Sequence, residues 1–508
     1  MHPLIRCSPR GVLLKDKTNF KKNTALALTY QIVAACIGFI MPRFFITAYG
    51  STINGSISTI SQLAGFLGLL EAGMGSVASV AFYRSLSNNG EYNLTTVRNT
   101  VRRYYRIIAG VSVALCSVLA VILPFTLKNG EPFAFNFELV IIVSCGYFIQ
   151  YYMGVTSQLL LAADYKSYVN SLTQIIAVVL NFLVTMLLIH FRVDVRLVKL
   201  ISVLVMLVRP VILAVYVKQK YTFSGSKAYD NSLMKQRWNN LGQSLAYYIH
   251  TQTDMVVIML FLTVAENSVY GLYLAIVAAV KMVATALLSN FSPVLGRACA
   301  ESGAEDERVI KTFRKFVQAN SFVINVLFSV AAVLIIPFMR IYAEGFDYNY
   351  IRPGFAICLC LSEYLYLYRN PYNTLINVNG HFKETQVSAF IEAGLNIVLS
   401  VILVNVMGIT GVAVGTIIAM LYRMLYCIIY TKKHLLRIPV MDIIKPALMA
   451  VITAICVAVV MLFVDLTVVN NYFAFVVAGI ILVLLFGVIQ IVMNYLMYRF
   501  ANSGTDPQ

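Results

Sequence analysis

Residues 380–433 read GHFKETQVSAFIEAGLNIVLSVILVNVMGITGVAVGTIIAMLYRMLYCIIYTKK. A short basic loop leads into an apolar run that holds one acid, Glu392, and one amide, Asn396. A tight glycine turn follows, then a second apolar run with Gly411, Gly415 and Ala419 at four-residue spacing, closed by Lys432 and Lys433. Residues 164–220, DYKSYVNSLTQIIAVVLNFLVTMLLIHFRVDVRLVKLISVLVMLVRPVILAVYVKQK, follow the same plan. An aromatic-lysine pair opens each unit, Tyr165-Lys166 and Phe382-Lys383. Asn181 and Asn396 lie deep in the first runs, Arg209 and Arg423 late in the second, and lysines end both. One unit occurs twice.

Composition sets the class. Of 508 residues, 59% are hydrophobic and 12% charged, against about 25% charged in a soluble domain. The chain is a polytopic membrane protein. Its net charge of +17 would suit a nucleic-acid partner, but the positions of the charges argue otherwise. With about 20 residues needed per spanning helix, spans fall near 24–46, 55–83, 105–127, 139–162, 168–190, 197–217, 239–263, 268–294, 316–338, 354–378, 385–405, 409–430, 443–465 and 472–497. The N-terminus and even-numbered loops collect the basic residues, among them Arg98, Arg102, Arg103, Lys218, Lys220, Arg297, Lys311, Arg314, Lys432 and Lys433. Odd-numbered loops hold few, such as Lys128, Arg192 and Arg340. By the positive-inside rule both termini are cytoplasmic, and the excess charge is a topology signal.

The expected fold is therefore all-α with about 14 transmembrane helices, two six-helix lobes as parallel repeats plus two C-terminal helices. The boundaries are a cytoplasmic segment 1–23, an N-terminal lobe 24–220, a linker 221–238, a C-terminal lobe 239–433, two further helices 434–499 and a tail 500–508. Tyr49-Gly50 and Tyr270-Gly271 are read as short outer loops before spans two and eight. The polar stretches before spans three and nine are read as short amphipathic surface helices. Internal repeats of this kind belong to transporter folds whose halves rock about a site between them. The nine cysteines sit mostly singly in apolar runs without metal spacing and are read as packing residues.

The stretch MPRFFITAYGSTINGSISTISQLAGFLGLLEAGMGSVASVAFYRSL (41–86) resembles the first two spans of bacterial polysaccharide-repeat flippases. These belong to the multidrug/oligosaccharidyl-lipid/polysaccharide exporter superfamily. The resemblance rests on a Pro-Arg ending span one, a Tyr-Gly loop, and the E-x-G-x-G run Glu71, Gly73, Gly75. Residues 380–433 resemble the corresponding C-terminal half, and Asp254 followed by VYGLY resembles spans seven and eight. The resemblance implies two six-helix lobes around a central cavity. It also implies flipping of a polyprenyl-diphosphate-linked oligosaccharide from the cytoplasmic to the outer leaflet of a bacterial cytoplasmic membrane. Implied partners are that substrate, membrane lipids, a polysaccharide polymerase and a chain-length regulator, with the protein itself a monomer. No nucleic acid is expected.

Charges inside the membrane are costly and mark paths or pairs. A diphosphate needs counter-charge to cross an apolar path, which makes Lys281, Arg369 and Arg43 the substrate-binding candidates. Against this, Arg43 can snorkel to headgroups and Lys281 can pair with Glu71. Arg209 and Arg423 are read as inner-leaflet anchors. The acids Asp254, Glu71, Glu392 and Glu363, with His250, are candidates for coupling to H+ or Na+. His250 and Asp254 share one helix face, as do Glu392 and Asn396; an interhelical hydrogen bond or ion pair is the plainer role for each. Ala64, Gly68, Ala72 and Ser76 form a small-residue stripe for close packing. Arg369-Asn370-Pro371 interrupts span ten, and the tyrosines nearby (Tyr364, Tyr366, Tyr368, Tyr372) and in span four (Tyr147, Tyr151, Tyr152) are candidates for stacking on sugars. No catalytic residue, metal ligand or cofactor site is expected. Two other readings are a cation-coupled multidrug exporter of the same superfamily and a membrane polysaccharide polymerase or ligase. The latter calls for a large outer domain that the short loops lack. Spans thirteen and fourteen are left with two roles, a groove for the lipid tail or a partner surface.

Overall fold

A computed structural model of the chain describes residues 9–503 except 66, 87–92, 127–131, 165, 227, 235–252, 289–290, 303–306, 380, 437–438 and 465. Among the described residues all regular structure is helical, and 11 helices are long and apolar enough to cross a membrane. Three of the expected fourteen spans account for the difference. Span two divides into α2 (Ser51–Gly65) and α3 (Gly68–Leu86). Span ten divides into α14 (Pro353–Tyr368) and α15 (Asn370–Val378). Most of span seven lies outside the described residues, leaving α10 over residues 253–261. Large apolar side chains such as Leu183, Leu187, Val451 and Ile455 stay exposed, as lipid-facing surface requires.

The chain forms two compact units, Met1–Tyr248 with Thr263–Ser268, and Ile249–Leu262 with Val269–Gln508. In the first, α1 (Pro9–Tyr49) runs unbroken through the residues read as an N-terminal segment. Pro9 suits a first helical position, and the next proline is Pro42. The polar stretch before span three is likewise the start of a continuous helix, α4 (Leu94–Thr126), rather than a separate surface helix. Nothing between residues 94 and 123 breaks the backbone ladder. Span four runs α5 (Phe133–Ile149), a π-turn at Gln150–Gly154, and α6 (Val155–Ala163). After α7 (Ser167–His190), span six is split into α8 (Val195–Met206) and α9 (Val208–Lys220). The cause is Pro210, whose ring displaces the carbonyl four residues back, that of Met206.

The second unit holds most of α11 (Val264–Leu288), then α12 (Phe291–Ser302), α13 (Glu307–Tyr342), α14, α15, α16 (Phe382–Met407), α17 (Ile409–His434), α18 (Val440–Phe463) and α19 (Tyr472–Ser503). Here too, from Glu307 onward, the amphipathic stretch is continuous with its span, in α13. Tyr270-Gly271, read as a loop, lies inside α11, which begins six residues earlier. The last helix packs on α13 through Leu482 and Phe486 against Val326, Val333 and Leu334, with Val457 and Val460 of α18 against the same cluster. A buried polar chain crosses the same contact. Tyr364 donates to Asn325 Oδ1 at 2.8 Å, Asn325 to Gln490 Oε1 at 3.0 Å, and Gln490 to Thr453 Oγ1 at 2.6 Å.

The hairpin of α16 and α17 turns on Gly408 at φ 58°, a left-handed conformation that only glycine adopts cheaply. Beyond the turn the two backbones nearly touch. A Cβ on Gly411 would stand 2.1 Å from the Leu403 carbonyl oxygen, and one on Gly415 2.8 Å from Ser400 N. Gly411→Ala is therefore expected to destabilise by about 1–3 kcal/mol, the usual range for overpacking. Gly394, where an added Cβ meets nothing within 4 Å, serves as the control. Thermal unfolding of the two alanine variants in detergent checks the contrast.

Candidate functional site

The glycine seam also sets the chemistry beside it. Thr416 follows Gly415 on α17, and with no Cβ at 415 its hydroxyl is carried against α16. There it donates to Asp254 Oδ2 at 3.0 Å. Asn396 Nδ2 of α16 donates to Asp254 Oδ1 at 3.3 Å, and the Tyr270 hydroxyl of α11 to Oδ2 at 3.2 Å. Ser400 in turn donates to Asn396 Oδ1 at 3.0 Å, which fixes the amide with its NH2 toward the acid. Asp254 is buried, and four helices supply this carboxylate and its three neutral donors. Among the described residues it makes no ion pair. His250, its expected companion, lies outside the described residues.

A second network starts close by, near enough that Glu363 and Asp254 repel. Pro371 has no N–H to give the Leu367 carbonyl, and Asn320 Nδ2 of α13 takes that place at 3.1 Å. The helix therefore kinks at one residue, Arg369, without unwinding. Arg369 Nη1 meets Glu392 Oε1 at 2.7 Å, and Arg423 Nε meets Glu392 Oε2 at 3.5 Å. Lys281 Nζ meets Glu363 Oε2 at 2.8 Å. Between the two pairs lies the Tyr366 ring, with Lys281 Nζ 3.8 Å and Arg369 Cζ 4.8 Å from its centre. Two cations on one aromatic ring form a cation–π arrangement, with a carboxylate holding each.

Several expected roles change on this geometry. Lys281 takes Glu363 as its partner and not Glu71, which belongs to the other unit. Arg423 is no leaflet anchor: it is buried, with Nη1 donating to the Thr385 carbonyl at 3.0 Å. Burial is tolerable there because Glu392 compensates the charge. Arg209 is its counterpart in the first unit, donating to Gln158 Oε1 and Asn170 Oδ1, each at 3.0 Å, with Glu71 within electrostatic reach. Glu392 and Asn396 share a helix face yet serve different networks. Arg43 lies half-buried on α1 in the first unit. Of the span-ten tyrosines, Tyr364, Tyr368 and Tyr372 are packing residues, and Tyr366 alone faces the cations. The described part of span two carries its close approach at Gly55, against the Val264 carbonyl, while the stripe is cut by the helix break before Gly68.

Thr416 and Tyr270 escaped the sequence reading. Thr416 was detectable as a hydroxyl set beside Gly415 in the small-residue seam of α17. Tyr270 was hidden by its placement in a loop.

No protein-family model matches the chain, and no curated protein sequence does. Solved structures do. The lipid II flippase MurJ in an inward closed conformation aligns over 93% of this chain and 99% of its own, with a TM-score of 0.69 and 16% identity. The chain has the fold of that transporter. An inward-facing multidrug resistance MATE family transporter of the MOP superfamily aligns over 78% of this chain and 97% of its own, with a TM-score of 0.60 and 14% identity. The MATE multidrug transporter DinF-BH, solved with R6G, aligns over 82% and 95%, with a TM-score of 0.58 and 14% identity. The all-α polytopic architecture read from the repeat is thus a fold shared by flippases and exporters.

Proposed function

We propose that this chain flips a polyprenyl-diphosphate-linked oligosaccharide from the cytoplasmic to the outer leaflet of a bacterial cytoplasmic membrane. It does so by alternating access coupled to H+ or Na+, with both termini cytoplasmic. The observation that carries the reading is the pair Lys281 and Arg369 flanking Tyr366. Each cation is held by one carboxylate, so an arriving diphosphate can take over both cations while Glu363 and Glu392 are released. Phosphate oxygens suit such charge-assisted bonds, and the Tyr366 ring offers a face to a sugar. Asp254, with neutral donors only, is the coupling group. Arg43 is a further cation for the substrate. Glu71 serves coupling from the first unit. A polysaccharide polymerase and a chain-length regulator are the expected partners of a monomeric transporter.

The extent of the structural likeness supports a flippase over a multidrug exporter. The MATE structures are matched nearly whole yet leave 13–22% of this chain uncovered, whereas the lipid II flippase leaves 7%. The test is a leaflet-accessibility assay in a host whose surface glycan depends on a deleted flippase. Wild type restores outer-leaflet glycan, and Lys281→Ala and Arg369→Ala at matched expression do not. Restoration by both variants would discard the cation assignment. No restoration by the wild type, together with dye efflux, would favour the exporter.

A further inference from the structure

In the first unit the α4 helix carries Arg98, Arg102, Arg103 and Arg106 within its first four turns. None of the four makes an ion pair among the described residues. The chain after α9 is strapped across them. Asn99 Nδ2 donates to the Ser226 and Ala228 carbonyls at 2.9 and 3.3 Å, Ser224 N donates to Thr95 Oγ1 at 3.0 Å, and Asp230 N to Thr100 Oγ1 at 2.9 Å. Arg98 lies over the Phe223 ring at 4.0 Å and Arg103 over the Tyr229 ring at 4.1 Å. Strap and helix form an open pocket of about 520 Å³ lined by Asn99, Arg102, Arg103, Arg106, Ile107, Ser226 and Tyr229. The strap's own acid, Asp230, is occupied in part by accepting from Ser232 N.

We propose that this pocket binds the phosphodiester headgroup of an anionic glycerophospholipid from the leaflet at the arginine-rich end of α4. The three guanidinium groups of Arg102, Arg103 and Arg106 suit phosphate oxygens, which arginine meets in paired hydrogen bonds. Basic pockets at the cytoplasmic ends of spans take anionic headgroups. The choice of a lipid over a free phosphate follows from what adjoins the pocket. From Ile107 the same helix presents Val111, Leu115, Val118 and Ile122 at intervals of three or four residues, all between 41% and 54% exposed. An acyl chain can lie along that stripe while the phosphate sits among the arginines. Tyr152, 38% exposed beside Arg106 at 4.9 Å, stands where an interfacial aromatic belongs. The site is separate from the Lys281–Arg369 network, so its occupancy stands or falls independently of the transport reading.

Native mass spectrometry of the full-length protein in a nonionic detergent tests it, with dioleoylphosphatidylglycerol and dioleoylphosphatidylcholine titrated in parallel. Wild type retains phosphatidylglycerol at least about 10-fold better than phosphatidylcholine, given roughly 1 kcal/mol per basic residue near an anionic headgroup. R103Q/R106Q, which alters two exposed side chains and leaves the core intact, loses that preference. Tyr229→Ala weakens retention without a change of charge by opening the wall over Arg103. R103K/R106K keeps part of the preference. Equal retention of the two lipids, or an unchanged preference in R103Q/R106Q, overturns the proposal. Displacement of phosphatidylglycerol by millimolar inorganic phosphate overturns it as well, since the pocket would then serve a soluble phosphate.

Discussion

Glu392→Ala is expected to cost about 3–5 kcal/mol of stability, the range for breaking a buried ion pair from one side. The carboxylate is buried and serves two arginines, at 2.7 Å and 3.5 Å. Its removal leaves Arg369 and Arg423 facing one another inside the second unit with no acid between them. The triple variant Arg369→Leu/Glu392→Leu/Arg423→Leu should recover most of the loss, because apolar replacement of a whole buried ionic group is near neutral, whereas Arg369→Leu/Glu392→Leu recovers only part, leaving Arg423 buried with no acid beside it. Thermal unfolding of wild type, Arg369→Leu, Glu392→Leu and the double Arg369→Leu/Glu392→Leu closes a cycle that isolates the pair. Glu392→Ala melting with the wild type would show that the network contributes nothing to folding. The double variant has a second use. If it is folded yet fails to restore outer-leaflet glycan, the Arg369–Glu392 pair is required for transport apart from its part in stability.

The repeat was readable because a bilayer leaves the backbone few options. Spans must be helical and apolar over about 20 residues, so Asn396, Gly411, Gly415 and Arg423 stand out against Leu, Val and Ile. The glycines' four-residue spacing was visible in the sequence, and the structure gives it its role by bringing their seam against Leu403 and Ser400. What stayed hidden is pairing across long stretches of chain. Lys281 and Glu363 are 82 residues apart, and helical periodicity says which face a residue occupies but not which helix it meets. Arg423 misled for a related reason. A late arginine in a span looks like a headgroup anchor until the acid that neutralises it is found on the neighbouring helix. The helix breaks were legible only in part. Pro371 announced its break, whereas the one at Pro210 went unread in a span taken as 197–217, and the break before Gly68 has no proline to mark it.

Asp254→Asn is expected to bring transport to background while leaving the protein folded. The carboxylate now accepts from Asn396, Thr416 and Tyr270. The amide has nearly the same shape, but one of its ends can only donate, and it would face a donor. Thr416 and Tyr270 can rotate their hydroxyls to accept, so most of the packing survives. What the amide cannot do is gain or lose a charge. A buried acid whose donors are all neutral is matched by no fixed cation among the described residues, so its charge is free to be met by a proton or a sodium ion. Vesicles loaded with lipid-linked substrate separate the possibilities. Collapse of the proton gradient, or of the sodium gradient, identifies the ion by which of them stops the wild type. Asp254→Asn should resemble the collapsed condition under either gradient, with an unchanged melting temperature. Transport by this variant at the wild-type rate would remove Asp254 from the coupling and return it to the role of a buried hydrogen-bond acceptor that joins four helices.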